Sequence, residues 1–195
     1  MKVIINRGGN MKYLKVMDNI KSNANPNIVY KINEVNVAQH WNKNAETPEE
    51  MGGFNFSTED KILRWLLRGN TIYEVIIPEG AEVVECESPS APHGVFKTNK
   101  IIIKNPIEVT DDVALDLYKK SDLPWKSYIQ ILSYLAATNY KNTSYKILDE
   151  KINRNNAKEA LEIYDTFLKR KTNPMPELYL EIKEKIKSLQ NEKEG

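Results

Sequence analysis

Ser57 and Thr58, the single Cys86 between Glu85 and Glu87, the histidines at 40 and 93, and the cations Lys61, Arg64 and Arg68 are the residues here whose types could do chemistry. A histidine can move protons near neutral pH, but His40 beside Trp41 and His93 in an open stretch stand far apart and form no pair in the sequence. Cys86 as a nucleophile would need a stabilised thiolate, and its two acidic neighbours oppose one, so a buried structural thiol is expected. Lys61, Arg64 and Arg68 fall close together on one predicted helix. They could meet a phosphate or an acidic partner, although a solvated face is the plainer reading. Two histidines and one cysteine are too few for a structural zinc site, so no metal is expected. The sequence has no Gly-rich phosphate loop ending in Lys-Ser or Lys-Thr, no GxGxxG, GxSxG or HExxH, and no paired CxxC.

The stretch that must position most of these residues runs from Met51 to Glu85. Gly52-Gly53 breaks the chain, Phe54 and Phe56 alternate as in a brief strand, and Ser57 or Thr58 is placed to cap a helix. That helix carries Ile62, Leu63, Leu66 and Leu67 on one stripe, with Asp60 and Arg64 paired on the outer side, and ends at Gly69-Asn70. Thr71 to Ile77 is β-branched and aromatic on both faces, which predicts a central strand. Pro78-Glu79-Gly80 reads as a turn, with Val83 to Cys86 returning as its neighbour.

Around this centre, Tyr13 to Met17 predicts a first strand and Ile28 to Ile32 a second, separated by a polar turn at Asn25-Pro26. Val35, Val37 and Trp41 fit either a strand and turn or a short helix. Residues 46–50 read as a loop or a single helical turn. Glu87 to Asn99 shows no period and reads as a loop, which as a surface connection or a binding segment would expose His93. Lys100 to Val109 is again a buried-looking strand, with a bend or an edge at Asn105-Pro106.

At Thr110 the period becomes helical and stays so. Thr110 can cap a helix opened by Asp111 and Asp112, with Val113, Ala114, Leu117 and Tyr118 turned inward. Pro124 opens the next, striped by Trp125, Tyr128, Ile129, Leu132 and Ala136, and Asn139-Tyr140 closes it. Further stripes run through Tyr145, Leu148 and Ile152, then Ala157, Ala160, Leu161, Tyr164 and Leu168. After a break at Asn173-Pro174, a last one holds Leu178, Ile182, Ile186 and Leu189. Strands first and helices after is the pattern of an α+β protein. The expectation is a mixed or antiparallel sheet with short helices in residues 11–109, then a helical subdomain in residues 110–195.

A chain of 195 residues with 41% apolar composition can bury a core, and a formal charge of +1 gives no global field for nucleic acid or an anionic membrane. No apolar run is long enough to cross a bilayer, the start lacks a signal-peptide pattern, and one cysteine forms no internal disulfide. A cytoplasmic setting follows as the expectation. Residues 7–11, Arg-Gly-Gly-Asn-Met, are what AGA-GGA-GGT-AAT-ATG would encode, a ribosome-binding site before a start codon, with Met11 then the natural first residue. A flexible Gly-Gly arm is the other reading. The abundance of Asn, Lys and Ile points to an AT-rich bacterium or one of its phages.

The layout YLKVM, then GGFNFST leading into a helix, TIYEVIIP, a turn and VVE, and a loop before NKIIIK resembles the mono-ADP-ribosyltransferase fold over Tyr13 to Lys104. The resemblance implies an NAD site in which Ser57 and Thr58 match the Ser-Thr segment, Lys15 is the cation of the first strand, and Phe56 or Tyr73 packs near a nicotinamide ring. The late strand departs from the pattern: FKTNKIII offers Thr98, Asn99 and Lys100 where a carboxylate should steady the developing ribose cation. Glu85 or Glu87 would have to substitute. Without that acid, the leading expectation is a protein of a phage or bacterium that binds and modulates, or inhibits, another protein without catalysis and without a cofactor. Lys61, Arg64, Arg68 and His93 would carry the contact. The alternative is an NAD-dependent transferase using Ser57, Thr58, Glu85 and Glu87. A second alternative is a nucleic-acid binder working through the Lys-rich helices, the weakest of the three because glutamates offset those lysines.

Overall fold

Alternating β-branched and aromatic residues give way to a 3.6-residue period at Thr110, and the structure changes class there. In the computed structural model, residues 12–21, 29–87, 92–167 and 175–191 are described. Residues 7–11 and the breaks expected at Asn25-Pro26 and Asn173-Pro174 lie outside them, as do Ile28 and Leu168. The chain divides into compact units at Val109 and Thr110.

The N-terminal unit contains β1 (Tyr13–Met17), β2 (Val35–Val37), α1 (Pro48–Met51), β3 (Phe54–Thr58), a 3₁₀ helix (Ile62–Arg68), β4 (Thr71–Ile76), β5 (Val83–Glu85), β6 (Val95–Thr98) and β7 (Lys100–Glu108). The strands make one antiparallel sheet in the order β2-β7-β4-β1-β3-β6-β5. The α+β class with strands first is therefore as the sequence indicates. One face gathers Met17, Phe54, Phe56, Tyr73, Val75, Phe96, Ile101 and Ile103 into a core that Tyr30 completes. Tyr13 meets Phe56 and Phe96 edge-on with centroids 5.3 and 5.6 Å apart, geometries that favour aromatic pairs. The register puts Leu14, Asn55, Ser57, Val84, Val95 and Lys97 on the opposite face.

Several local expectations are corrected. β4 lies inside the sheet, but its neighbours are β1 and β7; β5 pairs with β6 instead. The nine residues of β7 bring the fully buried Ile101 and Ile103 against β4, which a three-residue β5 could not match. Residues 29–32 make isolated bridges and no strand, and Asn33 turns the chain there at φ 62°. The open stretch after Glu87 contains β6, all four of whose residues are buried, so no polar alternation marked it. Ser57 and Thr58 belong to β3 and cap nothing, since the following helix is 3₁₀, begins at Ile62 and has no side-chain cap. Asp60 pairs with Lys61 at 2.9 Å, not with Arg64. At Asn105-Pro106 the β4–β7 register shifts between Ile72 and Glu74, a bulge in which the missing proline N–H costs nothing.

The C-terminal unit contains α2 (Asp111–Lys120), α3 (Trp125–Ala137), α4 (Lys141–Lys151), α5 (Ala157–Phe167) and α6 (Glu177–Asn191). α3 packs against α4, α5 and α6 and buries Ile129, Ile131, Leu132, Leu135 and Ala136 completely. Thr110 Oγ1 accepts from the Val113 N–H, the expected cap. The Asp111 carboxylate does more: it accepts from the backbone N–H groups of Asn142 and Thr143 at 2.8 and 3.0 Å and from Thr143 Oγ1 at 2.7 Å. It thus caps α4 from another helix. Asp111→Ala is expected to cost about 1.5 kcal/mol of the C-terminal unit's stability, read from its urea midpoint. Tyr164 and Tyr179 stack at 4.4 Å, and each hydroxyl donates to the other's backbone carbonyl, at 3.0 and 3.1 Å. Among the described residues no helix is long and apolar enough to cross a membrane.

Candidate functional site

β1 and β3 pair only at Tyr13 with Thr58 and Leu14 with Ser57, although each strand continues for three more residues. Those six residues, Lys15, Val16 and Met17 on one side and Phe54, Asn55 and Phe56 on the other, all line a cavity of about 760 Å³. The sheet parts in its middle, and the opening is a site of small-molecule size.

Lys15 occupies the parting. It is 9% exposed, its Nζ donates to the Asn55 carbonyl at 2.6 Å, and the Tyr30 ring lies 5.3 Å away. Burial first, then the charges of Arg68 and Lys97, bring its pKa down from the usual lysine range to about 7. Lys97 reaches the same cavity from β6, where it is 8% exposed and donates to the carbonyls of Pro48 and Gly52. Its pKa is likewise lowered, chiefly by burial. Carbonyl oxygens hold both ammonium groups without neutralising them. Arg68 is the third cation. A 3₁₀ helix repeats every three residues, so Ile62, Trp65 and Arg68 form one ridge, and all three line the cavity. The guanidinium groups of Arg64 and Arg68 each lie 5.6 Å from the Trp65 ring.

Ser57 also lines the cavity, and its Oγ is buried without a hydrogen-bond partner, which costs free energy unless something from the cavity completes it. Exposed Glu49 and Glu87 put negative charge at the rim. Burial pushes the Cys86 thiol up, with Glu85 and Glu49 adding to the effect and Lys97 opposing it, so it is a poor nucleophile. The wall opposite depends on Gly52 and Gly53, at φ 69° and 72°. A Cβ on Gly52 would lie 2.5 Å from the His40 carbonyl oxygen, and one on Gly53 would lie 2.6 Å from the Trp41 ring. The double glycine is thus a close contact as well as a turn. His40 lines the cavity with its Nε2 2.8 Å from the Glu50 carbonyl.

Of the residues singled out in the sequence, the cavity brings together Ser57, Cys86, Glu87, Lys15, Phe56, Arg68 and His40. Thr58, Glu85, Tyr73, Lys61, Arg64 and His93 do not line it. Glu85 accepts from the Gly94 N–H at 2.9 Å, and Thr58 Oγ1 donates to the Gly94 carbonyl at 3.4 Å, so both hold the turn before β6. Lys61 is buried beside Asp60, Arg64 is half-buried, and His93 is exposed. The expected outward basic face is therefore divided, because a 3₁₀ rather than an α helix carries it. Lys97 escaped sequence reading; the one signal for it was a lysine within a run of strand-forming residues. Among the described residues no cluster of His, Cys, Asp and Glu could hold a metal.

No family model, curated protein or solved structure matches the chain. The cavity's own chemistry carries the functional reading.

Proposed function

We propose that the N-terminal unit binds a small anionic molecule of nucleotide size in the parted seam of the sheet. The observation that carries this is the convergence of Lys15, Lys97 and Arg68 on one cavity, two of them buried with their ammonium groups donating to backbone carbonyls. Buried ammonium groups are costly, and an anion among them would repay that cost through charge-assisted hydrogen bonds. The Ser57 hydroxyl adds a neutral donor, and Phe56 and Trp65 add aromatic surface for a ring.

Calorimetric titration with NAD, ADP and inorganic pyrophosphate tests the proposal. Micromolar binding of at least one is expected, weakened about tenfold by Lys97→Met and by Arg68→Ala. Absence of binding by all three would remove it. The pH dependence has a definite sign. A bound anion favours the protonated Lys15, so its folded pKa rises from about 7 on binding. The full affinity is present below pH 7 and declines as pH rises through the range above it, with proton uptake visible as a buffer-dependent heat.

NAD-dependent transfer at the same site is a second reading, favoured because Lys15, Ser57 and Glu87 all line the cavity. It predicts self- or target-labelling by NAD that is lost in Glu87→Gln and kept in Glu85→Gln, whose carboxylate serves Gly94. Equal labelling by both variants would exclude Glu87 from that role. Modulation of a host protein through Lys61, Arg64, Arg68 and His93 has no comparable support, since Lys61 is buried and Arg68 lines the cavity.

A further inference from the structure

Lys15 has a property that anion binding does not use. Among the described residues its Nζ has one hydrogen-bonding partner, the Asn55 carbonyl, and it lies in the wall of the cavity with the Tyr30 ring beside it. A neutral amine held this way gives one N–H to Asn55 and keeps its lone pair. Arg68 and Lys97 line the same cavity, which therefore offers cations to the acid group of a ligand whose carbonyl meets that lone pair.

We propose that Lys15 is a nucleophilic amine that condenses reversibly with the carbonyl group of an anionic aldehyde or keto acid, whose carboxylate or phosphate rests on Arg68 and Lys97. The assignment rests on the anion-binding reading of the cavity and adds the carbonyl to its ligand. In the step, the lone pair of Nζ forms a bond to the carbonyl carbon as the carbon–oxygen π pair moves to oxygen. A proton passes from nitrogen to that oxygen, giving a carbinolamine. The hydroxyl then takes a second proton from solvent and leaves as water, the nitrogen lone pair closes the C=N bond, and the remaining N–H proton returns to solvent. One amine and one carbonyl give one imine and one water, with no change of oxidation state. The physical requirement is an amine that is unprotonated near neutral pH, and burial beside two cations supplies it. At about pH 8 most of Lys15 is the free amine, whereas an ordinary exposed lysine is under about 1% so.

The test uses the full chain, glyoxylate as the probe and cyanoborohydride to trap the imine, followed by peptide mapping. Lys15 is expected to gain a carboxymethyl group about tenfold faster than any other lysine at about pH 8, the higher free-amine fraction outweighing its lower intrinsic nucleophilicity. Pyrophosphate should slow Lys15 alone and leave the α-amino group and surface lysines unchanged. Lys15→Arg should lose that label, and pyrophosphate binding is measured by calorimetry on the wild-type chain. Labelling of Lys15 no faster than its peers, with pyrophosphate binding intact, would overturn the nucleophile and leave the anion site standing. Rapid labelling with neither pyrophosphate binding nor protection would overturn the anion reading, and with it the roles of Arg68 and Lys97. Because the wild-type map decides the first point, the proposal does not depend on a variant that folds.

Discussion

Lys15→Met should raise the stability of the N-terminal unit at pH 7 by about 2 kcal/mol while weakening anion binding at least tenfold. Lys15 titrates near 7 when folded and near 10.5 when unfolded, so between these values the unfolded chain binds the extra proton. A group shifted this way destabilises fully below its folded pKa, and the penalty is relieved as pH rises from about 7 towards 10.5. Its size at pH 7 is on the order of 4 kcal/mol. Methionine removes that penalty but gives up the hydrogen bond to Asn55 and the contact with Tyr30, which together return part of the gain. Urea unfolding at pH 7 and 9, followed by Trp41 and Trp65 in a Trp125→Phe background, is the measurement. The wild type should gain more stability between the two pH values than Lys15→Met, in which the lowered pKa of Lys97 leaves a smaller slope. A stability equal to wild type at pH 7, or a pH slope as steep in the variant as in the wild type, would contradict the account.

Gly69→Ala is expected to be among the most damaging single substitutions in the N-terminal unit, costing at least about 3 kcal/mol. Gly69 follows the 3₁₀ helix at φ 163°, an extended conformation open to any residue. The obstacle is space. A Cβ there would stand 2.1 Å from both the carbonyl carbon and oxygen of Met17, backbone atoms of β1 that cannot turn aside. Accommodating it means lifting the 3₁₀ helix from β1, which carries Trp65 and Arg68 away from the cavity, so anion affinity should fall along with stability. Gly80 is the control. It has φ 69°, yet its added Cβ would find nothing nearer than Lys100 Nζ at 3.8 Å, and Gly80→Ala should cost only about 1 kcal/mol. Similar losses at both positions would mean that backbone conformation, not crowding, governs Gly69.

What could be read from residue types was the periodic part. The alternation in Tyr13–Met17 and Phe54–Thr58, the two-faced apolar run of β4, and the helices from Thr110 onward all formed. Strand partners were not legible, because pairing of β4 with β7 rather than β5 depends on the total area buried and leaves no local mark. The 3₁₀ winding was hidden for a related reason. Ile62, Leu63 and Leu66 satisfy either period, and only tertiary contact chooses between them. That choice decided the site, since it turned Arg68 with Trp65 towards the cavity. Lys15 and Ser57 were visible as residues, but their seclusion was not. A lysine in a strand says nothing about its depth until the strands on either side are known.

The short pairing of β1 with β3 has a mechanical consequence. Ladders of five and four residue pairs join β1 to β4 and β3 to β6, but only two pairs join β1 to β3. The sheet therefore works as two leaves on a short hinge, β2-β7-β4-β1 and β3-β6-β5. A few degrees of opening would change the width of the slot between the leaves without breaking either longer ladder. Ligands of different girth could then be gripped by the same cations, and the slowest amide exchange should lie within each leaf, with the fastest along the hinge.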